Sequence, residues 1–373
     1  MSNRSKLFRH KSLYDLKGTD NLFLAAIKEN ISFHLKNCSD YARIISHYSF
    51  DLESITTIDD IAKIPPLPTI YVKSHDLYSM PTKKHLFKAT SSGTSGKKSQ
   101  AGLDINSSLM ALFMVIRTFK YHGIFSLIPT NYIVLGYQPN KNNKLGAAQT
   151  AYGTTLATIT LKRQYALKYD GKEYHVNFDG IKNALVKYQK RWFPVRFMGF
   201  PAYFYFMLDY LEKENIFFKL PKKSMVFTAG GWKQFWGEQK DREELYKLAK
   251  KHLDIDESNF RDFYGAVEHP IVYCDCKNHH FHVPIYSRVI IRDVNTLEPV
   301  GYGKPGLINL ITPLMKSMPF VSIITDDIAV LHEGKQCGCG IEAPYFEILG
   351  RTGMADLKTC AITADEFLKE GKL

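Results

Sequence analysis

The chain has no apolar run long enough to cross a membrane. Its longest candidate, 111–116, is cut by Arg117, whereas a spanning helix needs roughly 20 mostly apolar residues. The opening residues, 1–6, are polar and basic, and no apolar signal core follows them. We therefore expect a cytoplasmic protein without stable membrane insertion.

Acidic residues are in deficit. The sequence has 49 Lys and Arg against 37 Asp and Glu, which gives a formal net charge of +12. Such a balance favours anionic partners, among them nucleotides. The excess is spread in short pairs (Lys97-Lys98, Lys222-Lys223 and Lys250-Lys251), and no long basic arm is present. We therefore expect no nucleic-acid partner.

Cysteine is scarce, with six residues in 373. In a cytoplasmic protein such cysteines are free, metal-bound or catalytic more often than disulfide-bonded. Two Cys and three His fall within residues 274–282, and a Cys-Gly-Cys-Gly turn follows at 337–340. Thiolates and imidazole at this spacing favour tetrahedral Zn²⁺. We predict a structural zinc site with the ligands Cys276, His282, Cys337 and Cys339. The substitutes Cys274, His279 and His280, and reduced thiols or a redox pair in place of zinc, stay open.

The order of apolar patterns predicts an α/β fold. Residues 1–80 are mainly helical and amphipathic, and they end near the proline cluster at 65–68. Buried strands are predicted at 133–135, 196–198, 225–228 and 260–264, and helices at 107–117, 181–191, 202–212 and 240–253. Alternation of this kind indicates a layered, largely parallel sheet. We divide the chain into a helical segment (1–80), an α/β core (81–282), a β-rich subdomain with the zinc-like cluster (283–350), and a short C-terminal segment (351–373).

A polar loop follows a predicted strand at 85–89. It contains Ser91, Ser92, Gly93, Thr94, Ser95, Gly96 and Lys97. Such a loop can wrap backbone N–H groups and hydroxyls around phosphate oxygens. Only two residues separate its glycines, so it is not a Walker A loop. A plain surface turn is the alternative.

Four further segments carry candidate nucleotide-binding residues. Each could also be an ordinary strand end or turn. They are Gly230-Gly231 after a strand, Phe263-Tyr264-Gly265 with Glu268 behind it, Asp327 after an apolar strand, and Arg351 between two glycines.

The order of these motifs resembles the acyl-adenylate-forming (AMP-binding) enzymes, and among them the acyl-protein synthetase (LuxE) family. The resemblance implies that Ser91 to Lys97 bind the β- and γ-phosphates of ATP and that Gly230, Gly231 and Phe263 to Gly265 line the adenine. It further implies that Glu268 holds Mg²⁺, that Asp327 binds the ribose and that Arg351 lies at the hinge. In that family a Cys near the C-terminus accepts the acyl group as a thioester, and this implies a nucleophilic role for Cys360.

The resemblance also implies an activity and a fold. The activity is ATP-dependent conversion of a fatty acid, of long chain by analogy, to acyl-AMP, then transfer to the cysteine and on to an acyl-protein reductase partner. The fold is a large α/β adenylate-forming domain with a smaller β subdomain. Residues 81–282 would then be the nucleotide- and acyl-binding core, and residues 351–373 the hinge and a short tail. Only 22 residues follow Arg351, so we expect a short tail in place of the usual lid domain.

Several alternatives stay open at this stage. An acyl- or aryl-CoA ligase like the phenylacetate–CoA ligases, or a carrier-protein ligase, would use the same adenylate chemistry. A non-catalytic nucleotide- or zinc-binding partner protein would use none. The aromatic stretch 197–207 could line an acyl tunnel or form helix core. Homo-oligomerisation is also left open.

Overall fold

The structure, a computed structural model, describes residues 1–90, 100–140, 153–231 and 240–351, with the backbone alone at 87–90 and 100. The chain divides into two compact units. The first contains residues 1–118, 265–273 and 280 onward, and the second contains residues 119–264 and 274–279. The linear division into four segments stays a prediction.

Capping and first-turn residues explain where two of the helices begin. Asp15 caps the long second helix by accepting a hydrogen bond from the Gly18 amide at 2.9 Å, and Pro201 occupies the first turn of another helix. The α-helices are Asn3–Phe8, Leu16–Asn37, Ser39–His47, Thr69–Ser74, Ile105–Tyr121, Phe178–Tyr188, Pro201–Lys213 and Arg242–Leu253. Short 3₁₀ turns lie at Leu52–Ser54, Asp59–Lys63, Thr82–Lys84, Thr155–Ala157, Glu257–Asn259 and Gly334–Cys337. Within the described residues, no helix combines the length and apolarity that a membrane crossing requires.

The strands are β1 (Leu67–Pro68), β2 (His85–Thr90), β3 (Gln100–Asp104), β4 (Ser126–Tyr137), β5 (Thr158–Tyr169), β6 (Tyr174–Val176), β7 (Val195–Gly199), β8 (Met225–Ala229), β9 (Phe260–Ala266), β10 (His269–Cys274), β11 (Phe281–His282), β12 (Arg288–Arg292), β13 (Pro299–Val300), β14 (Pro305–Ile311), β15 (Ser322–His332) and β16 (Tyr345–Arg351).

The first unit contains an antiparallel sheet in the order β11-β16-β15-β14-β12-β13. Strand β1 adds to it in parallel, with Leu67 opposite Ile323. A separate hairpin joins β2 and β3. The strand-rich pattern predicted after residue 283 is present here. The apolar runs 289–291 and 307–310 fall within β12 and β14, and the run 321–324 ends inside β15, which begins at Ser322.

The second sheet has the order β10-β9-β8-β7-β4-β5-β6. Its neighbours β9/β8, β8/β7, β7/β4 and β4/β5 are parallel, and β6 closes one edge in the antiparallel sense. Apolar side chains of the adjoining helices pack into one core with those of the strands. The predicted α/β class with a largely parallel sheet is confirmed.

The aromatic stretch 197–207 contributes to that core. Phe197, Phe204 and Met207 are at most 1% exposed and belong to the buried cluster of the second unit. These side chains therefore form helix and strand core, which is the alternative that the sequence left open. The helix predicted to reach residue 191 ends at Tyr188, a few residues before Pro194, whose ring excludes a continuing helix.

Candidate functional site

Two glycines follow β8 at the carboxyl edge of the parallel sheet. Gly230 and Gly231 have φ values of +79° and +63°, which side-chain-bearing residues rarely adopt. A Cβ on Gly231 would meet no atom within 4 Å. The positive φ angle therefore favours glycine at this position, and a lack of space for a side chain does not. Ligands of open α/β sheets bind outside such carboxyl ends.

Strand β9 runs beside β8 and ends at the same edge. Ala229 pairs with Phe263, so Phe263 and Tyr264 lie alongside the start of the glycine pair. The structure thus brings together, in the second unit, two of the segments that the family resemblance assigns to adenine. The neighbouring Gly265 permits a close approach, because a Cβ there would lie 3.2 Å from the carbonyl oxygen of Ile271.

Asp262 is a polar centre that the sequence reading missed. Thr228 Oγ1 donates to its Oδ1 at 2.9 Å, and Arg242 donates to its Oδ2 at 2.8 Å. Its own backbone amide donates to the buried Asp275 at 2.8 Å. Burial raises the pKa of Asp262 to about 6. The available signal was a charged residue inside the strand pattern at 260–264.

Glu268, the candidate Mg²⁺ ligand, lies in the turn between β9 and β10 and is 4% exposed. The next residue, His269, is fully buried and its Nε2 lies 2.9 Å from the Tyr273 hydroxyl. That hydroxyl lies 2.6 Å from Ser287 Oγ. Burial lowers the pKa of His269 to about 3, so its imidazole is neutral near pH 7. These polar contacts hold the backbone that carries Glu268.

Asp327 and Arg351, predicted from separate motifs, form an ion pair. They are opposite each other in the antiparallel β15/β16 pairing, and Arg351 Nε donates to Asp327 Oδ1 at 2.7 Å. The aspartate side chain is 8% exposed and the arginine side chain 53%. The carboxylate is therefore held at the sheet surface by a cation that remains accessible.

The Cys and His residues predicted as zinc ligands come together. The donor atoms of Cys276, His282, Cys337 and Cys339 all lie within 4.8 Å of one another. His282 Nδ1 lies 2.7 Å from the Ala343 carbonyl oxygen, so Nδ1 must carry the proton. Nε2 then presents its lone pair toward the cluster, 3.2 Å from Cys339 Sγ. Such a backbone bond to the second nitrogen is typical of metal-ligating histidines.

Backbone groups around the cluster are arranged to surround its sulfur atoms. Gly338 and Gly340 have φ values of +69° and +96°, which permits the tight turn around Cys339. The Ile341 amide points at Cys339 Sγ and the Asn278 amide at Cys276 Sγ, both at 3.4 Å.

Two nearby residues differ from the predicted ligands. His280 places Nδ1 3.2 Å from Cys337 Sγ, so it contacts a candidate ligand. Cys274 points at the Asp275 carbonyl instead, at 3.6 Å, and burial raises the pKa of its thiol. Among the described residues, Cys274 is not part of the cluster.

Two predicted groups lie outside the described residues. They are the loop Ser91, Ser92, Gly93, Thr94, Ser95, Gly96 and Lys97, and the candidate nucleophile Cys360.

Comparison with known families covers almost the entire chain. The model of the family "Acyl-protein synthetase, LuxE" matches residues 13–369. The chain belongs to the acyl-protein synthetase (LuxE) family. It is an acyl-activating ligase. Two long-chain-fatty-acid–luciferin-component ligases are similar: that of Aliivibrio fischeri is 26% identical over 92% of this chain and 88% of its own. That of Vibrio harveyi is 22% identical over 95% and 90%. The predicted family is confirmed.

Solved structures show the same fold. A 2-hydroxyisobutyryl-CoA ligase in an open conformation, in complex with 2-HIB-AMP and CoA, superposes with a TM-score of 0.65 at 13% identity. The match covers 89% of this chain and 74% of that one. The same ligase in its postadenylation state gives a TM-score of 0.63 at 12% identity, over 90% and 68%. The fold of this acyl-protein synthetase family member is thus that of an adenylate-forming ligase.

Proposed function

We propose that this acyl-protein synthetase family member activates a long-chain fatty acid with ATP, carries it as a thioester on Cys360, and delivers it to an acyl-protein reductase. The observation that carries the proposal is the family match over residues 13–369, together with two relatives named as long-chain-fatty-acid ligases. The 2-HIB-AMP named with a ligase of the same fold supports an adenylate intermediate.

The described residues supply recognition groups for the nucleotide. Adenine lies against the backbone of Gly230 and Gly231 and beside Phe263 and Tyr264, since the two segments are neighbours at the carboxyl edge of the sheet. Arg351 fixes the orientation of the Asp327 carboxylate, which accepts hydrogen bonds from the ribose hydroxyls. The hydroxyls, amides and Lys97 of residues 91–97 bind the β- and γ-phosphates.

The first reaction joins two anions and needs charge neutralisation. A fatty carboxylate oxygen attacks the α-phosphorus of ATP, the bond to the bridging oxygen breaks, and pyrophosphate leaves with that electron pair. Glu268 supplies a carboxylate of the kind that Mg²⁺ takes alongside phosphate oxygens, and a bound Mg²⁺ would neutralise charge on the leaving group. Lys97 and the loop amides stabilise the same developing charge.

The second reaction transfers the acyl group to sulfur. The Cys360 thiolate attacks the acyl carbonyl carbon, the bond to the phosphate oxygen breaks, and AMP leaves with the electron pair. The products are AMP and an acyl-enzyme thioester, which the reductase then consumes.

We further propose a structural zinc ion held by Cys276, His282, Cys337 and Cys339. The proximity of four donors, the protonated Nδ1 of His282 and the amides aimed at two sulfurs suit tetrahedral Zn²⁺. All four ligand positions are filled by side chains, as in structural sites. The ion would stabilise the turns at 276–282 and 337–343.

Intact-mass spectrometry tests the function. Wild-type protein, Cys360→Ala and the control Cys38→Ala are incubated with Mg-ATP and fatty acids of graded length. Cys38 is a matched control because it is buried and its pKa is raised by burial. We expect a hydroxylamine-labile adduct with the mass of the acyl group on the wild type and on Cys38→Ala, and none on Cys360→Ala.

Other outcomes separate the alternatives. An adduct that persists on Cys360→Ala would assign the thioester to another residue. Pyrophosphate release without an adduct on any chain would favour an acyl-CoA or carrier-protein ligase, and added CoA would then accelerate AMP release.

A further inference from the structure

The outward face of helix Ile105–Tyr121 is apolar. Its exposed side chains follow helical spacing and form one stripe, which we call the apolar stripe: Ile105, Leu109, Leu112, Phe113 and Ile116. Their exposed fractions range from 39% for Phe113 to 60% for Ile105. The opposite face, with Met110 and Met114, is buried. Surface helices normally show the reverse arrangement on the solvent side.

The surroundings of the stripe are cationic. The sequence has no Asp or Glu in residues 1–14 or in residues 105–126. These two segments touch, since the Arg9 guanidinium lies 5.3 Å from the centre of the Phe113 ring and Arg117 donates to the Arg9 carbonyl. Lys6 and Lys11 are exposed on the same segment as Arg9. The apolar stripe thus lies beside several cations, and these two segments contribute no carboxylate. Such a surface is complementary to an apolar surface ringed by acidic groups.

We propose that the apolar stripe is the docking surface for the acyl-accepting partner protein, through a partner surface that is apolar at its centre and acidic at its rim. A large exposed apolar patch with a polar rim marks a site of association. A second copy of this chain would bring two cationic rims together, which costs free energy.

The kind of partner follows from the chemistry of a thioester and from the place of the stripe in the sequence. It begins at Ile105, directly after β3 and eight residues beyond Lys97 of the predicted phosphate loop. The proposal rests on the proposed function in one respect: an acyl group held as a thioester cannot diffuse away, so its transfer requires contact between two proteins. A protein surface is therefore favoured over a lipid surface, although both could be anionic.

The test is direct binding, without ATP or fatty acid, to a purified acyl-protein reductase from the same cell. Leu112→Glu and Leu112→Lys both remove the central apolar side chain but differ in charge. Leu127→Glu is the matched control, because Leu127 is an exposed leucine of the second unit, 76% exposed. We expect Leu112→Glu to raise Kd at least about tenfold, Leu112→Lys by roughly threefold, and Leu127→Glu by less than about twofold. Added salt should weaken wild-type binding.

Each contrary result has a distinct meaning. No binding of the wild type, or equal Kd for Leu112→Glu and the wild type, overturns the docking surface. If Leu112→Lys loses more affinity for the reductase than Leu112→Glu does, the proposed acidic rim of the partner surface is wrong. Flotation with phosphatidylserine vesicles that is lost in Leu112→Glu while reductase binding is unchanged would reassign the stripe to a lipid surface. A dimer lost in that variant, again with reductase binding unchanged, would reassign it to a second copy.

The same preparations separate this proposal from the proposed function. The acyl adduct is measured on each variant by intact mass, and the stripe variants should form it at the wild-type rate. If the stripe variants form normal adducts and bind the reductase as the wild type does, only the docking surface is refuted. If the wild type forms no adduct but the variants show the predicted changes in binding, self-acylation is refuted and the docking surface is supported.

Discussion

Asp327 and Arg351 stand opposite each other on two antiparallel strands, with Arg351 Nε 2.7 Å from Asp327 Oδ1. The two residues are 24 positions apart in the sequence, and strand register alone brings them together. The pair joins the residue proposed to bind ribose to the arginine proposed to lie at the hinge.

This pair predicts a nucleotide-binding defect with little loss of stability. Asp327→Asn should weaken ATP binding about tenfold, because an amide is a poorer acceptor for ribose hydroxyls and loses the attraction of Arg351. Arg351 is half-exposed, so breaking the pair should cost under about 1 kcal/mol of unfolding free energy. Isothermal titration calorimetry and thermal melts check both quantities. Asp326→Asn, which changes the adjacent carboxylate, is the control and should bind ATP normally.

The metal cluster predicts a zinc content that depends on particular cysteines. Elemental analysis of wild-type protein should give about one zinc per chain. The double variant Cys337→Ser with Cys339→Ser should lose the metal and melt at a lower temperature. Cys274→Ser should keep it, because Cys274 is outside the cluster. Metal-free wild type, or zinc retained in the double variant, would refute the site.

Two buried neutral histidines predict acid sensitivity. His34 contacts Ser79 Oγ at 2.7 Å and the Met315 carbonyl at 3.1 Å, and burial lowers the pKa of His34 and of His269 to about 3. In the unfolded chain each of these two histidines binds a proton once the pH falls below about 6.5, the ordinary pKa of histidine. In the folded chain each stays neutral until the pH is near 3. The unfolding free energy should therefore fall as pH drops from about 6 to about 3.5, by about 1.4 kcal/mol per pH unit for each histidine.

Denaturant titrations at several pH values measure that slope. His34→Gln should remove about half of the contribution from this pair, whereas the exposed control His175→Gln should leave it unchanged. An equal slope in wild type and His34→Gln would show that His34 is protonated in the folded protein.

Asp262 predicts the opposite dependence on pH. Because burial raises its pKa to about 6, the folded chain keeps a proton that the unfolded chain releases near pH 4. The contribution of Asp262 to stability is thus present below pH 4 and is lost as pH rises to about 6. Between pH 4 and pH 6 the unfolding free energy of Asp262→Asn should therefore rise relative to that of the wild type, by at most about 2.7 kcal/mol. A stability difference that is flat from pH 4 to pH 7.5 would show that Asp262 has an ordinary pKa.

The sequence predicts most of the local structure and some of the site. Strands such as 196–198 and 225–228 are short, mainly apolar runs between helical patterns, and their short length and their alternation with helices reveal them. The cysteine pairs are visible because close spacing and glycine turns place their sulfurs near one another.

Contacts that depend on strand register are not visible in the sequence. Asp262 meets Thr228 because β8 and β9 are parallel neighbours in register, and Arg242 reaches Asp262 from a helix. Likewise the Asp327–Arg351 pair requires the β15/β16 register. The exposed stripe on helix Ile105–Tyr121 also escapes sequence reading, because an apolar helix face ordinarily indicates core.

Fatty-acid-dependent exchange of labelled pyrophosphate into ATP tests the central claim, acyl-adenylate formation, most directly. The assay uses zinc-loaded wild type, Cys360→Ala and Glu268→Gln, with long-chain fatty acids. We predict exchange of similar rate in wild type and Cys360→Ala, since adenylation precedes the thiol, and a loss of at least about tenfold in Glu268→Gln. Folded wild-type protein that catalyses no exchange with any fatty acid would contradict the account.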